Sequence, residues 1–345
     1  MSKQTILVTG GTGYIGSWVV KELLEKGHIV RVSVRDKSKE EKYKRLFEIA
    51  KQTNGQLELW EANLTTTNAF DEATKGADAI IHLASPFILD KNNPQENLIN
   101  PALNGTKNVL NSAIKSGTVK RIVLTSSIAS IQGDNVDMRT QNVKAFTESH
   151  WNTTSNINHQ PYSYSKVLAE KEAWNIYNSQ NQWELVVINP GFVMGPPLTN
   201  ITNSGSFSFI NDVLSGKYKT GVPKLEFGFV DVRDVAKAHI LALENPKAKG
   251  RHIIVSETMG VLDFTKIIEQ SYPKMYKLPK ITAPKPLIWA LAPLFGITRK
   301  FVAKNVGYSI DFDNSKSKTE LGLKYTPIET SIKEMVKWYQ QNKQI

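Results

Sequence analysis

The sequence of 345 residues contains no cysteine. Disulfide bridges, thiolate zinc sites, iron–sulfur clusters and a cysteine nucleophile are therefore excluded. Histidine is scarce as well, and the six histidines include no pair at the spacing of metal ligands, so we expect no metal site. Any catalysis must depend on other side chains.

Long apolar runs are also missing. The longest candidate, residues 286–297, is shorter than the roughly 20 residues that cross a bilayer, and it contains Pro293. The first apolar segment, residues 6–8, runs directly into glycine and does not resemble the core of a signal peptide. We expect a soluble, cytoplasmic protein that is a monomer or a homodimer and has no membrane partner.

Acidic residues are outnumbered, since 32 aspartates and glutamates stand against 43 lysines and arginines, a net charge of +11. Clustered cations would favour nucleic acid. The cations here are spread along the chain, so we interpret them as a solvated surface and expect no nucleic-acid partner. Hydrophobic residues at 40% and charged residues at 22% are ordinary for a globular protein, which excludes a disordered chain or a coiled coil.

Apolar β-type segments alternate with segments of helix length. A strand at residues 5–9 is followed by a glycine-rich loop, a helical pattern at 17–26 and a strand at 29–34. Further strands are predicted at residues 57–60, 79–83, 121–125, 184–189 and 251–256. Such alternation predicts an α/β fold, with a doubly wound parallel sheet of the Rossmann type.

Prolines interrupt the pattern in the C-terminal half, which predicts a smaller, discontinuous substrate lobe. We assign residues 1–190 and 226–256 to the nucleotide-binding domain, and residues 191–225 and 257–345 to the lobe. One helix of the lobe is expected either to cover the substrate cleft or to pack within the lobe, and we rank a role at a membrane surface behind both. Its apolar residues are Trp289, Leu291, Leu294 and Phe295.

The loop at residues 10–16 reads Gly-Gly-Thr-Gly-Tyr-Ile-Gly and lies between a predicted strand and a predicted helix. In that context Gly10 permits a tight turn, Gly13 lets the backbone approach a pyrophosphate, and Gly16 lets helix and strand pack closely. The loop therefore predicts a dinucleotide site.

The end of the second strand selects the dinucleotide. An acidic residue there binds the ribose hydroxyls of NAD, whereas a basic residue binds the 2′-phosphate of NADP. Arg35 and Asp36 occupy that position together, so position alone leaves both cofactors open. The basic residues that follow favour NADPH over NADH, because guanidinium groups suit phosphate; they are Lys37, Lys39, Lys42, Lys44 and Arg45.

Tyr162 and Lys166 stand four residues apart at the start of a predicted helix and so share a face. A nearby cation favours the phenolate form of a tyrosine and suits it to acid–base catalysis. Ser126 and Ser127 directly follow a predicted strand, at the sheet edge where such folds bind ligands. Either hydroxyl can bond a substrate carbonyl while Tyr162 supplies a proton. Asp231, which precedes a helix, is interpreted with Asp234 as a helix cap.

The motifs together resemble the extended short-chain dehydrogenase/reductase family, in the branch of dihydroflavonol 4-reductase, cinnamoyl-CoA reductase and the yeast methylglyoxal (carbonyl) reductases. The resemblance covers nearly the whole chain. Its segments are residues 9–16, 34–36, 82–86 (His-Leu-Ala-Ser-Pro), 124–127 (Leu-Thr-Ser-Ser), 162–166, 189–191 (Asn-Pro-Gly), 230–236 and 244–251.

This resemblance implies a catalytic role for Ser127, Tyr162 and Lys166, with Lys166 lowering the pKa of the tyrosine and holding the nicotinamide ribose. It also implies that Arg35 and Lys42 hold the 2′-phosphate. The other implied cofactor residues are Gly10, Thr12, Gly13, Tyr14, Ile15, Gly16, Asn63, Leu64, Ala84, Ser85, Pro190 and Val193. Asn63 stands where relatives carry aspartate, and its side-chain oxygen can still accept a hydrogen bond.

The function implied is reduction of a ketone or aldehyde by NADPH, with aldehydes, diketones, ketoesters and dihydroflavonols as candidate substrates. Gln132 is expected to select among them, and Phe87 and Phe192 to wall the pocket, together with Ser127 and Tyr162. A nucleotide-sugar epimerase or dehydratase would share the same catalytic residues, although sugar dehydratases of the superfamily carry Thr-Asp-Glu where residues 125–127 read Thr-Ser-Ser. A non-catalytic NADP sensor remains a third hypothesis.

Overall fold

The structure is a computed structural model that describes residues 3–85, 93–199 and 204–342. Its strands are β1 (Thr5–Thr9), β2 (Ile29–Val34), β3 (Gln56–Glu61), β4 (Ala79–His82), β5 (Arg121–Thr125), β6 (Glu184–Pro190), β7 (Phe192–Met194), β8 (Val222–Pro223), β9 (Glu226–Asp231), β10 (Gly250–Ile254), β11 (Glu257–Gly260) and β12 (Thr282–Ala283).

The α-helices are α1 (Tyr14–Glu25), α2 (Lys44–Lys51), α3 (Asp71–Thr74), α4 (Asn100–Ser116), α5 (Val136–Thr140), α6 (Pro161–Asn178), α7 (Gly205–Leu214), α8 (Val232–Glu244), α9 (Val261–Ser271), α10 (Lys285–Leu291), α11 (Arg299–Asn305), α12 (Ser315–Glu320) and α13 (Ile328–Asn342). None of the helices in the described ranges is long and apolar enough to cross a membrane.

A seven-stranded sheet lies at the centre of the described chain, in the order β10-β6-β5-β4-β1-β2-β3. Every neighbouring pair in it is parallel. Each predicted strand of this sheet is present, with ends that differ by at most two residues from the predicted ones. The parallel α/β sheet predicted from the alternation is therefore confirmed.

The strands are apolar at consecutive positions because helices cover both faces of the sheet. Ile6 and Val8 of β1 pack in one core with α1, α2 and α8. Leu7, between them, packs in a second core with α4 and α6. Successive side chains of a strand point to opposite faces, so the unbroken apolar run follows from a doubly wound arrangement.

The strand order reverses between β1 and β4, which are direct neighbours. A crevice opens at such a switch point, beyond the carboxyl ends of the strands. The loop after β1 is the glycine loop, and the segment after β4 holds Ala84 and Ser85. An alanine-like Cβ on Gly10 would lie 2.8 Å from the backbone nitrogen of Ala84, so the two segments meet at the crevice.

The smaller part of the molecule contains a three-stranded sheet, β11-β9-β7, and the pair β12-β8. Its apolar core is formed largely by α7, α9 and α13. Residues 226–231 form β9 of this small sheet, whereas the assignment from the sequence placed them in the nucleotide-binding domain. β9 pairs with β7, the strand that directly follows β6 in the chain. The domain boundaries stay a prediction.

Asp231 caps α8 as predicted, since its side chain accepts a hydrogen bond from the backbone nitrogen of Arg233 at 2.7 Å. Asp234 does not cap this helix. Its carboxylate accepts from the backbone nitrogen and the hydroxyl of Thr326, at 2.7 and 2.9 Å. It therefore fastens α8 to the segment that leads into α13.

The predicted helix of the lobe is two helices, α10 and α11, joined by a 3₁₀ turn at Ala292–Phe295. Trp289, Leu294 and Phe295 do not pack within the lobe, since all three are exposed, and they are not among the residues that line the cavity. Phe301 and Asn305 of α11 line the cleft instead. Gly296, which has a positive φ, ends the turn. Because the helix is interrupted there, the residues that face inward differ from those expected for one continuous helix.

Candidate active site

A cavity of about 580 Å³ lies at the crevice of the sheet. Its walls come from the glycine loop, from the segment after β5, from the start of α6, from β7 and β9, and from α11. Of the predicted site residues, it is lined by Gly10, Gly13, Tyr14, Ile15, Gly16, Ser85, Ser127, Gln132, Tyr162, Phe192 and Val193. The structure thus brings residues from distant parts of the chain to one cleft.

The glycine loop has the shape expected for approach to a phosphate. Gly10 has a φ of +69°, and a Cβ on Gly16 would collide with the carbonyl oxygen of Gly10. Gly13 donates its amide to that same carbonyl at 2.9 Å. The amides of Tyr14, Ile15 and Gly16 begin α1 without a hydrogen-bond partner among the described residues, which makes them available to an anion.

Tyr162 is held at the start of α6 by a fixed entry into the helix. Gln160 has a φ of +56°, and Pro161 follows at the first helical position, where its lack of an N–H costs nothing. Lys166 lies one turn further on, and its Nζ donates to the hydroxyl of Ser85 at 2.9 Å. The ammonium is 5.7 Å from the centroid of the Tyr162 ring. The Tyr–Lys pair therefore shares a face, as the spacing predicts.

Burial, rather than the charge of Lys166, dominates the pKa of Tyr162. Burial raises the pKa of the Tyr162 phenol to about 12, and a hydrogen bond with Ser127 opposes that rise in part. Burial also lowers the pKa of Lys166 to about 8, against the opposing charge of Glu170. Desolvation dominates both groups because each is enclosed. At neutral pH this leaves a protonated phenol beside an ammonium.

The two serines after β5 have different surroundings. Ser127 lines the cavity and bonds Tyr162, and its Oγ accepts from the amide of Ala129 at 3.1 Å. Ser126 is buried, and its hydroxyl donates to Glu170 and lies 3.3 Å from the hydroxyl of Ser130. The geometry therefore favours Ser127 as the serine that meets a substrate, in agreement with the resemblance.

The substrate side of the cavity is partly aromatic. Phe192 packs edge-on against Phe229 with ring centroids 5.7 Å apart, and Phe227 lines the cavity beside it. Gln132 lines the cavity too, but its amide nitrogen already donates to the carbonyl of Gly133 at 2.9 Å and to Asn135 at 3.0 Å. Its carbonyl oxygen is the part that remains for a ligand. Phe87 lies outside the described residues.

The residues expected to choose the dinucleotide lie at the end of β2. The guanidinium of Arg35 is exposed and forms no ion pair or hydrogen bond within the described ranges. Lys42 is exposed in a 3₁₀ turn that follows. Asp36 accepts from the amide of Ser38 at 3.0 Å and pairs with Lys39 at 3.3 Å, and the hydrogen bonds of Ser38 hold its pKa below the usual range. Its carboxylate is engaged, while Arg35 is available.

The structure does not decide whether the other predicted cofactor residues bind the cofactor, and their roles stay predictions. The side-chain oxygen of Asn63 accepts from the amide and hydroxyl of Thr65, at 3.2 and 3.1 Å. Leu64 packs in the second core. The remaining residues lie at the ends of strands or in the loop between β1 and α1: Thr12, Ala84 and Pro190.

A buried ion pair close to the segment after β5 was not predicted from the sequence. Glu170 of α6 accepts from Nε of Arg251 at 2.6 Å, and both side chains are almost fully buried. Asn189 joins them, since its amide donates to Glu170 at 2.9 Å and to the carbonyl of Ser127 at 3.2 Å. A signal was present, because Glu170 follows Lys166 by one further turn and so lies on the same helix face.

A second buried cluster supports the entry into α6. Asp134 accepts from Gln160 at 2.8 Å and from Asn305 at 2.7 Å, and Nε2 of His159 lies 2.9 Å from each of its oxygens. These bonds hold the left-handed Gln160 two residues before Tyr162 and fasten α11 to it. No sequence pattern indicated this cluster, because its members come from three distant segments.

The sequence matches one protein family and is similar to several plant reductases. The NAD-dependent epimerase/dehydratase family matches residues 6–256. Cinnamoyl-CoA reductase CAD2 of Medicago truncatula is 38% identical to the chain over 344 residues, covering 98% of this chain and 96% of that protein. Tetraketide alpha-pyrone reductase 2 of Arabidopsis thaliana is 41% identical over 275 residues, covering 77% and 82%.

Solved structures agree. Gre2 from Candida albicans in complex with NADPH has a TM-score of 0.79 and 31% identity, covering 99% of this chain and 100% of that one. The yeast methylglyoxal/isovaleraldehyde reductase Gre2, also with NADPH, has a TM-score of 0.80 and 26% identity over 99% and 100%. These similarities confirm the predicted fold and branch and, at the level of the family, the expectation of an oxidoreductase that uses NADPH. The chain belongs to the NAD-dependent epimerase/dehydratase family.

Proposed function

We propose that this chain uses NADPH to reduce the carbonyl group of a small ketone or aldehyde. The observation that carries the proposal is the meeting, at one cavity, of the protonated phenol of Tyr162, the hydroxyl of Ser127 and the glycine loop. Reduction of a carbonyl ends with protonation of its oxygen, and a positioned phenol can supply that proton.

The residues present fit NADPH. The crowding around Gly10 and Gly16 leaves no room for side chains, and three free amides at the start of α1 suit a pyrophosphate. Arg35, with its unpaired guanidinium, and Lys42 would hold the 2′-phosphate, and Lys166 the nicotinamide ribose. When bound, NADPH supplies the hydride that carbonyl reduction requires.

The chain's own residues manage the proton and the position of the substrate. Ser127 donates a hydrogen bond to the carbonyl oxygen, and Tyr162 gives that oxygen its phenolic proton. The negative charge left on Tyr162 is stabilised by the neighbouring ammonium of Lys166, which is charged below a pH of about 8. Water then returns a proton to the phenol.

The substrate class is inferred from the cavity walls. Phe192 and Phe227 offer apolar ring faces, and the Gln132 oxygen offers one acceptor. These features suit an aromatic or otherwise apolar body that carries a hydroxyl group near the carbonyl. Among the candidates, dihydroflavonols carry such a hydroxyl, whereas simple aromatic aldehydes, diketones and ketoesters would use the apolar walls alone, and the reductase names of the relatives are consistent with carbonyl substrates.

A panel assay tests the proposal. The rate of NADPH oxidation is measured with each candidate carbonyl compound and, separately, the conversion of nucleotide sugars is measured with NAD. Turnover of at least one carbonyl substrate, together with inert nucleotide sugars, is the expected result. Conversion of a nucleotide sugar without net NADPH consumption would assign the epimerase or dehydratase function instead. Tight NADPH binding with no turnover of any compound would favour the sensor hypothesis.

A further inference from the structure

One stretch of the chain concentrates positive charge. Residues 270–310 contain seven lysines and arginines and no aspartate or glutamate, against a net charge of +11 for the whole chain. The stretch is distinguished by its lack of acidic residues, which leaves the charge of its cations without a nearby opposite charge in the sequence. None of these cations forms an ion pair within residues 3–85, 93–199 and 204–342; they are Lys274, Lys277, Lys280, Lys285, Arg299, Lys300 and Lys304.

The same stretch concentrates exposed apolar side chains. Among the described residues, six of the seven large hydrophobic side chains that are exposed fall within it: Met275, Ile281, Leu287, Trp289, Leu294 and Phe295. Leu294 is 81% exposed and Phe295 is 61% exposed. Single exposed hydrophobic residues are common on proteins, but a group of them in one short stretch marks an interaction site.

The local packing explains why these side chains face outward. α10, the 3₁₀ turn and α11 form a small helical hairpin whose inner face buries Ala292, Val302 and Val306 against Ile288. That core is complete without Leu294 and Phe295. On the outer side the guanidinium of Arg299 lies 4.6 Å from the centroid of the Trp289 ring, so cations and apolar groups are interleaved.

We propose that the basic apolar surface of this hairpin, the exposed side chains of residues 285–304, binds the surface of a lipid bilayer that carries anionic headgroups. Aromatic and aliphatic side chains surrounded by lysine and arginine are the composition of segments that lie in a membrane interface. The cations are attracted to anionic headgroups, and the apolar side chains enter the boundary with the acyl chains. Such a surface lies on a bilayer and does not cross it.

Charge argues against a second copy of this chain as the occupant. In a symmetric dimer the same patch meets itself, so the unpaired cations of one chain would face those of the other. Like charges brought together in this way suppress association. An anionic bilayer supplies the opposite charge and an apolar layer at once.

The surface adjoins the candidate active site. Phe301 and Asn305 of α11 line the cavity, while Arg299 and Lys300 at the start of the same helix belong to the basic apolar surface. A bilayer bound there would lie beside the cavity. The inference nevertheless stands without the proposed reaction, since it rests on charge and exposure alone.

Vesicle sedimentation tests the inference. The full chain is mixed with phosphatidylcholine vesicles, with or without phosphatidylglycerol, at low and at high salt. We expect binding to the anionic vesicles that weakens as salt screens the charges, and little binding to the neutral ones. The double variant Leu294→Ser/Phe295→Ser should bind at least about tenfold more weakly. Phe47→Ser, which removes the exposed hydrophobic residue outside the stretch, is the matched control and should bind like the wild type.

A charge variant provides a second test. Lys300→Glu should weaken binding to anionic vesicles by about fivefold or more, whereas Lys51→Glu on α2, with the same change in net charge, should have a smaller effect. Circular dichroism and NADPH binding check that each variant is folded. Absence of binding to anionic vesicles at low salt would overturn the inference. The inference would also be overturned, in favour of a second copy, if light scattering shows a wild-type dimer that is absent in the Leu294→Ser/Phe295→Ser variant and the wild type does not bind vesicles.

Discussion

The two sides of the cavity are assembled in different ways. The cofactor side depends on short local motifs, namely the glycine loop at residues 10–16 and the pair Tyr162 and Lys166 on one helix face. The substrate side is assembled from Gln132, Phe227 and Phe301, which come from three separate stretches of chain. A local motif carries its geometry with it, whereas a wall made from distant segments exists only after the lobe has packed.

That difference predicts different consequences for substitutions. Changes on the cofactor side should alter chemistry or cofactor binding for every substrate. Changes on the substrate side should alter which substrate is preferred. A third group of residues, buried behind both sides, should affect the stability of the fold.

The largest effect is expected for Tyr162→Phe. Removing the phenolic proton should lower kcat by about a hundredfold to ten-thousandfold, while NADPH affinity, measured by fluorescence titration, stays close to that of the wild type. Tyr164→Phe, two residues along the same helix and outside the cavity lining, is the matched control and should retain activity. Comparable kcat values for Tyr162→Phe and the wild type would remove Tyr162 from the mechanism.

Glu170→Gln should produce the largest loss of stability. The substitution leaves the Arg251 guanidinium buried without its carboxylate partner, and such a change costs about 3–5 kcal/mol of unfolding free energy. Glu172 lies on the same helix as Glu170 and forms a partly exposed pair with Lys107 of α4. Glu172→Gln, which breaks that pair, should cost less than about 1 kcal/mol. Denaturant unfolding measures both, and equal losses would show that the buried pair adds nothing specific.

Arg35→Ala should weaken NADPH by about ten- to a hundredfold and NADH much less, because a charge-assisted hydrogen bond to the 2′-phosphate is lost. Arg139→Ala, which removes an exposed arginine on α5, serves as the control for a general loss of positive charge. If Arg35→Ala weakens both cofactors alike, Arg35 does not bind the phosphate, and Asp36 becomes the residue to test as a ribose ligand.

The pH dependence follows from Lys166. Because burial lowers the pKa of Lys166 to about 8, its ammonium is charged below that pH and neutral above it. We expect kcat/KM to fall by about tenfold between pH 7 and pH 9. Lys166→Arg keeps its charge throughout this range and should lack the fall, although its absolute rate will differ. A wild-type profile that stays flat to pH 9 would contradict this role of the ammonium.

The smallest effect is expected for Gln132→Leu. Loss of one acceptor should change the ranking of substrates, lowering kcat/KM by about two- to tenfold for those with a hydroxyl group beside the carbonyl. A simple aromatic aldehyde, which has no such group, should be reduced at nearly the wild-type rate. Parallel losses for both kinds of substrate would leave Gln132 as a residue that holds its loop through Gly133 and Asn135.

The sequence predicts the cofactor side well for a physical reason. The β1–α1 loop needs glycine at Gly10 and Gly16 because backbone atoms approach too closely for side chains, and that requirement appears directly in the sequence. Strands such as β1 and β5 are apolar throughout because both faces are covered, so their positions are predicted to within two residues.

The parts that the sequence does not predict depend on long-range packing. Asp134 meets Asn305 across the fold, and no local pattern announces such a contact. Trp289 and Leu294 are apolar and suggest burial, yet the hairpin leaves them exposed because Ala292 and Val302 already fill its core. Exposure of apolar residues contradicts the hydrophobic pattern, and that contradiction is the basis for the proposed membrane surface.

The central claim is that the cavity transfers a hydride from NADPH to a substrate carbonyl while Tyr162 gives the proton. The most direct measurement is a turnover with NADPH that carries deuterium at the transferable position of its nicotinamide, followed by mass spectrometry of the product. The account predicts one deuterium on the former carbonyl carbon of the alcohol, one NADPH consumed per product, and almost no labelled product from Tyr162→Phe. A product formed without net NADPH consumption, or an alcohol without deuterium, would contradict it.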